Sequence, residues 1–166
     1  MLVLGVDPGT ATTGYGIIEV KGYQYKMVDY GCIKTSPRCA VPQRLQKLYQ
    51  QVVRLLNAYR PAVVAVEELF FNKNVRTALA VGQARGVVLL AAASQDIQVV
   101  EYTPLQVKQG VVGYGRASKR QVQEMVKILL KLDKVPRPDD AADALAIAIC
   151  CAHELPLAGC QQRMER

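Results

Sequence analysis

The chain has 166 residues, of which 51% are hydrophobic and 21% charged. That excludes a disordered or fibrous protein and suits one compact domain with its own core. Lys and Arg number 21 against 14 Asp and Glu, and the net charge of +7 favours a polyanionic partner without naming one.

Five cysteines (Cys32, Cys39, Cys150, Cys151 and Cys160), odd in number and without a C-x-x-C pair, read as free thiols of a reducing cytosol. Cys150, Cys151 and His153 are close in sequence. Neighbours on a helix diverge by about 100°, however, and no second pair completes a tetrahedral metal site. The start Met1-Leu-Val-Leu-Gly5 lacks a basic region and a cleavage site, so it reads as a strand and not a leader. No apolar run approaches the roughly 20 residues of a membrane span, which predicts a cytoplasmic protein with no membrane partner.

Leu2–Val6 is an apolar run stopped by Asp7-Pro8-Gly9, the mark of a buried strand. Gly14 to Val20 and Tyr23 to Ile33 are β-prone on either side of Lys21-Gly22, an antiparallel hairpin. From Pro42 to Tyr59 the period changes: Leu45, Leu48, Val52, Leu56 and Tyr59 share a helical face that Pro61 ends. Ala62–Val66 is a second buried strand, closed by Glu67-Glu68. A helix capped by Asn74 runs from Val75 to about Ser94, and Ile97–Tyr102 is a fifth strand. Pro104 opens a short helix that stops near Gly113. Ser118 and Gln121 make a capping box for a helix through Leu132, with Val122, Met125, Val126, Leu129 and Leu130 as its apolar stripe. After Pro136 and Pro138 a last helix spans about Asp139 to Glu154. The order predicts an α/β fold, a five-stranded mixed sheet with helices on both faces. It forms one domain over residues 1–156, followed by a flexible tail over 157–166.

The two apolar strands each end in a carboxylate, Asp7 and Glu67. Strands joined by a helical crossover run parallel, so both acids emerge at the carboxyl edge, where open α/β sheets bind ligands. Asp140 and Asp143, three apart, share a face of the last helix. Singly, each acid has a plain explanation: a turn before Pro8, or a helix N-terminus that favours acids by ~0.3–1 kcal/mol. Asp143 fits that explanation least. Its helix is apolar nearly all round, and a carboxylate buried beside others is costly unless neutralised. Oxygen-only donors with no spare His or Arg suit Mg²⁺ or Mn²⁺. Two such ions ~3.5–4 Å apart clamp the oxygens of an in-line phosphoryl displacement.

Six motifs then fall in register: Gly5-Val-Asp7-Pro-Gly9-Thr with Gly14-Tyr-Gly16, Ala65-Val-Glu67-Glu-Leu-Phe70, Gly82-Gln-Ala-Arg-Gly86, Gln106-Val-Lys108-Gln, Val111-Val-Gly113-Tyr-Gly115, and Asp140-Ala-Ala-Asp143-Ala-Leu-Ala. Together they resemble the RuvC family of crossover-junction endodeoxyribonucleases, of ribonuclease H-like fold, from Leu4 to about Cys150. The resemblance implies a homodimer that binds a four-way (Holliday) DNA junction and nicks two strands of like polarity symmetrically. It implies two Mg²⁺ ions per site, with Mn²⁺ as a substitute, and work alongside RuvA and RuvB in recombination and repair. By motif match the family's four acids fall on Asp7, Glu67, Asp140 and Asp143. Glu68 is an additional acid that strand alternation turns away from Glu67, and Asp139 reads most simply as an N-cap.

Phe70, Phe71, Lys73 and Arg76 follow Glu67 closely, two aromatic rings beside two cations. Core packing explains at least one ring; the resemblance puts an aromatic wedge against an unpaired base at Phe70 and leaves Phe71 open. Lys108 and Lys119 match basic residues near the family's scissile phosphate. Lys119 follows the Ser118 cap at a helix N-terminus, which itself attracts phosphate, and Arg116 and Arg120 extend the basic loop. Ala78, Gly82 and Gly86 form a small-residue stripe that fits either internal packing or a dimer. A related nuclease acting on RNA shares the acids and differs in substrate. A junction binder without turnover gains nothing from four charges that repel DNA. A kinase-like ATPase built on Asp7-x-Gly-Thr needs two such domains.

Overall fold

The computed structural model describes residues 1–68 and 75–164. Strands β1 (Leu2–Asp7), β2 (Thr12–Lys21), β3 (Gln24–Lys34), β4 (Val63–Glu67) and β5 (Gln98–Tyr102) form one sheet in the order β3-β2-β1-β4-β5. The first three make an antiparallel meander, whose β2–β3 turn uses Gly22 at φ 59°. Strands β4 and β5 then join β1 in parallel, with Val6 beside Val66 and Val66 beside Glu101. Parallel pairing follows from the two helical crossovers, α1 (Val41–Tyr59) and α2 (Val75–Ala93).

Two cores flank the sheet. On one face Leu48, Val52 and Leu56 of α1 and Ala84, Val88 and Ala91 of α2 pack on Leu4, Val6, Val64 and Val66. On the other, α5 (Asp139–Met164) lies directly on β1 and β2, covered in turn by α3 (Pro104–Val112) and α4 (Lys119–Leu129). From Ala144 to Ala152 helix α5 is buried on every side, which its Ala, Leu, Ile and Cys composition requires. It comes this close because β1 carries Gly5, where a β-carbon would overlap the Ala144 carbonyl oxygen.

The elements agree with the sequence expectation to within two residues except at the ends of two helices. Helix α4 stops at Leu129, three residues before the expected end at Leu132, and Lys131 at φ 53° turns the chain. Helix α5 runs past Glu154 and through Pro156 to Met164. Proline's fixed φ is compatible with a helix, so its cost there is one backbone hydrogen bond and local crowding. Asp139 is not the N-cap. The Ala142 N–H bonds the Pro138 carbonyl at 3.3 Å, so Asp139 is already the first helical residue and its side chain is free for ion pairing.

Candidate active site

Asp7 and Glu67 stand at the ends of adjacent parallel strands, each one residue beyond the Val6–Val66 pair. Asp140 and Asp143 occupy the first turns of α5, whose backbone crosses the sheet where Gly14 of β2 pairs with Asp7. All four acids expected from the sequence therefore share the carboxyl end of β1.

Their electrostatics register that closeness. Burial, and then the negative charges of Glu67, Asp143 and Asp140, push the Asp7 carboxyl up to about 7 against a weaker pull from Lys119. Burial and the Asp143 charge likewise raise Glu67, opposed by Lys119 and Lys108. Asp143 is raised by burial and by Asp139 and Asp140, although it accepts a 2.8 Å hydrogen bond from Lys119 Nζ. Three carboxyls are held above their ordinary range first by burial and then by one another's charge, and the pull of Lys119 does not offset the two together.

Lys119 is the first residue of α4, behind a Ser118 cap that accepts from the Gln121 N–H at 3.3 Å. The capping box turns α4 so that its first side chain reaches Asp143, and also Asp139 at 3.5 Å. Burial works to lower its pKa, but the bonds and charges of Asp143 and Asp139 outweigh this and hold it high. Asp139 pairs with Arg137 as well. Lys108 on α3 is close enough for its charge to be felt at Glu67. Arg116 and Arg120 are exposed on the loop and the first turn around Lys119. Glu68 is exposed, and its backbone N–H donates to the Tyr102 carbonyl at 2.8 Å. Phe70, Phe71, Lys73 and the Asn74 cap lie outside the described residues, and Arg76 is placed only as a position in α2.

Two features escaped the sequence reading. The loop after Asp7 is locked by buried Thr13, which donates to the Gly9 carbonyl at 2.6 Å, and by Thr35, which donates to the Thr10 carbonyl and accepts from Arg44 Nε at 2.9 Å. Polar residues buried to hold a loop carry no periodic signal. Cys32 pairs across β2–β3 with Gly14, and Gly14 with Asp7. Burial and the Asp140 charge raise its thiol pKa, a proximity that only strand register creates.

As placed, no three His, Cys, Asp or Glu side chains among the described residues stand close enough together to hold a metal ion. The donors nonetheless fit a hard divalent cation in kind, being carboxylate oxygens only, and in charge, being under-neutralised by Lys119. Cys150 and Cys151 are buried thiols pushed up to about 12 and about 11 by burial, and the His153 ring bonds the Gly110 carbonyl at 2.7 Å, so neither belongs to the site.

A mixed five-stranded sheet of this order, with acids at the carboxyl end of its central strand and helices on both faces, defines a ribonuclease H-like protein. The family model described as "Crossover junction endodeoxyribonuclease RuvC" matches residues 3–151. The chain is 60% identical over 153 residues to the crossover junction endodeoxyribonuclease RuvC of Alkaliphilus oremlandii, covering 92% of this chain and 93% of that one. The structure of Thermus thermophilus RuvC in complex with Holliday junction substrate superposes with a TM-score of 0.91 at 40% identity, covering 95% of this chain and 96% of that one. The yeast mitochondrial Holliday junction resolvase Ydc2 shares the fold alone, at 16% identity and a TM-score of 0.62 over 96% of this chain and 85% of that one. The chain belongs to the RuvC family of crossover junction endodeoxyribonucleases and is a nuclease of the resolvase class.

Proposed function

We propose that the chain cuts four-way DNA junctions by metal-dependent hydrolysis, nicking two strands of like polarity at symmetric positions during recombination and repair. The observation that carries this is the convergence of Asp7, Glu67, Asp140 and Asp143 at one end of the sheet, under a lysine already bonded to Asp143. The four acids hold two Mg²⁺ ions, or Mn²⁺ in their place. When bound, these ions supply Lewis acidity to the in-line displacement at phosphorus. Lys119 and Lys108 draw the scissile phosphate to the acids and offset its charge, and the exposed Arg116 and Arg120 hold the flanking backbone. Lys73 and Arg76 add further cations for the phosphate backbone. Phe70, with Phe71 as the alternative, opens the crossover by stacking on a base.

A symmetric substrate asks for two equivalent sites, which a homodimer supplies. Helix α2 is the surface proposed for that contact, with Leu79 and Leu90 exposed and open space over Gly86. RuvA and RuvB are the partners the resemblance implies. No helix among the described residues is long and apolar enough to cross a membrane.

The test is a synthetic mobile four-way junction incubated with and without Mg²⁺, with both nicks mapped. Paired nicks at symmetric positions, seen only with metal, are expected. Equal cutting of linear duplex or RNA, or cutting without a divalent ion, overturns the reading.

A further inference from the structure

Residues 113–118 link α3 to α4 along the rim of the acids. On one side Lys108 of α3 acts on Glu67, and on the other Lys119 of α4 bonds Asp143 at 2.8 Å. Small residues set the course of this loop. Gly113, at φ 90°, caps α3 by donating to the Gln109 carbonyl at 2.9 Å. Gly115 lies against the Leu105 side chain, which would have to swing aside for a β-carbon there. Ala117 is buried. Gly115 and Ala117 are the more buried positions, and the alternating Tyr114 and Arg116 are exposed.

That placement is unusual for an aromatic ring in this chain. Among the described residues two rings are exposed, Tyr23 at 88% and Tyr114 at 46%. Tyr23 sits in the β2–β3 turn, at the opposite end of the sheet from Asp7. Tyr114 lies in the loop between Lys108 and Lys119, next to Gly115, which approaches the half-exposed Leu105, and two residues before the exposed Arg116. Packing leaves nearly half of Tyr114 open to solvent.

We propose that Tyr114 is a substrate-contacting residue: its ring stacks on a base next to the scissile phosphate and biases which base is accepted there. The proposal rests on the junction-cleaving function above and adds a determinant of specificity to it. Bases at a crossover expose their faces, and a ring carried on a clamped loop loses little freedom in meeting one. Stacking strength differs among bases, so a platform of this kind confers a graded sequence preference without hydrogen-bond readout.

Two variants test it, Tyr114→Ala and Tyr114→Phe, at an exposed position where neither disturbs the fold. With Tyr114→Ala the KM for a junction should rise roughly tenfold, with kcat nearly unchanged and the preference among junctions that differ in the flanking base flattened. Tyr114→Phe should restore both, because it keeps the ring. Unchanged KM and unchanged preference in Tyr114→Ala overturn the proposal. A second readout separates this from the cleavage function. With 2-aminopurine at the crossover and no divalent ion present, binding of the wild-type protein should quench its fluorescence, and Tyr114→Ala should not. Quenching lost in the variant supports stacking even if the wild-type protein nicks no junction. Equal quenching by both proteins, or no junction binding by the wild type, overturns it.

Discussion

The carbonyl oxygen of Asp140 occupies the place where a β-carbon on Gly14 would stand. Gly14 pairs with Asp7 across β1 and β2, so the missing side chain is what allows the start of α5, and with it Asp140 and Asp143, to lie over Asp7. Backbone on backbone leaves no side chain to rotate away. Gly14→Ala should therefore cost about 1–3 kcal/mol by lifting α5 from the sheet. Urea denaturation measures that loss, and junction cleavage under folded conditions should fall further than stability does.

The Asp7 carboxyl stands at about 7 in the folded protein against an ordinary value of 3.8. Between those values the folded state holds a proton that the unfolded chain has released. Its contribution to stability is complete below 3.8 and is lost as pH rises through about 7. Metal-free protein should thus unfold at lower urea on the alkaline side of neutrality than on the acid side, and Asp7→Asn should flatten that slope. Cleavage at limiting Mg²⁺ should rise over the same range, because the ionised carboxylate binds the ion.

Asp143→Asn removes a charge from an under-neutralised set and releases Lys119. The expected outcome is a fall in kcat on the order of 100-fold or more, with junction affinity in metal-free buffer unchanged or improved. Single-turnover cleavage and a gel-shift titration read the two effects separately.

Lys119→Ala should lower kcat at saturating DNA while leaving KM for the junction little changed, since Lys108, Arg116 and Arg120 still hold the backbone. An Arg at the same position keeps the charge and should recover part of the rate. A turnover rate unaltered in Lys119→Ala would remove it from the reacting phosphate.

Gly86 has nothing within 4 Å of where a β-carbon would lie. Within one subunit Gly86→Ala should stabilise α2 by up to about 1 kcal/mol through helix propensity. If α2 is the dimer contact, Gly86→Leu should shift the protein toward monomer in sedimentation while its helical circular dichroism stays the same.

Much of this molecule was legible in one dimension. Apolar runs ending in Asp7 and Glu67 identified two central parallel strands, and the wholly apolar stretch after Asp143 identified a helix buried on all sides. Such patterns are read directly because burial on a regular element leaves a period in the sequence. Asp139 was misjudged because capping depends on where the first helical hydrogen bond forms, and the Pro138 carbonyl takes it. The continuation of α5 through Pro156 was missed because a proline's effect depends on its surroundings as well as its identity.

By itself the sequence determined the element order, the mixed sheet and which acids are available, since each follows from local period and residue chemistry. Only the tertiary structure decided that Lys119 rests on Asp143, that Thr13 and Thr35 lock the loop after Asp7, and that Cys32 shares a row with the acids. Those relationships join residues far apart in the chain. They depend on packing distances and strand register, which no local pattern encodes.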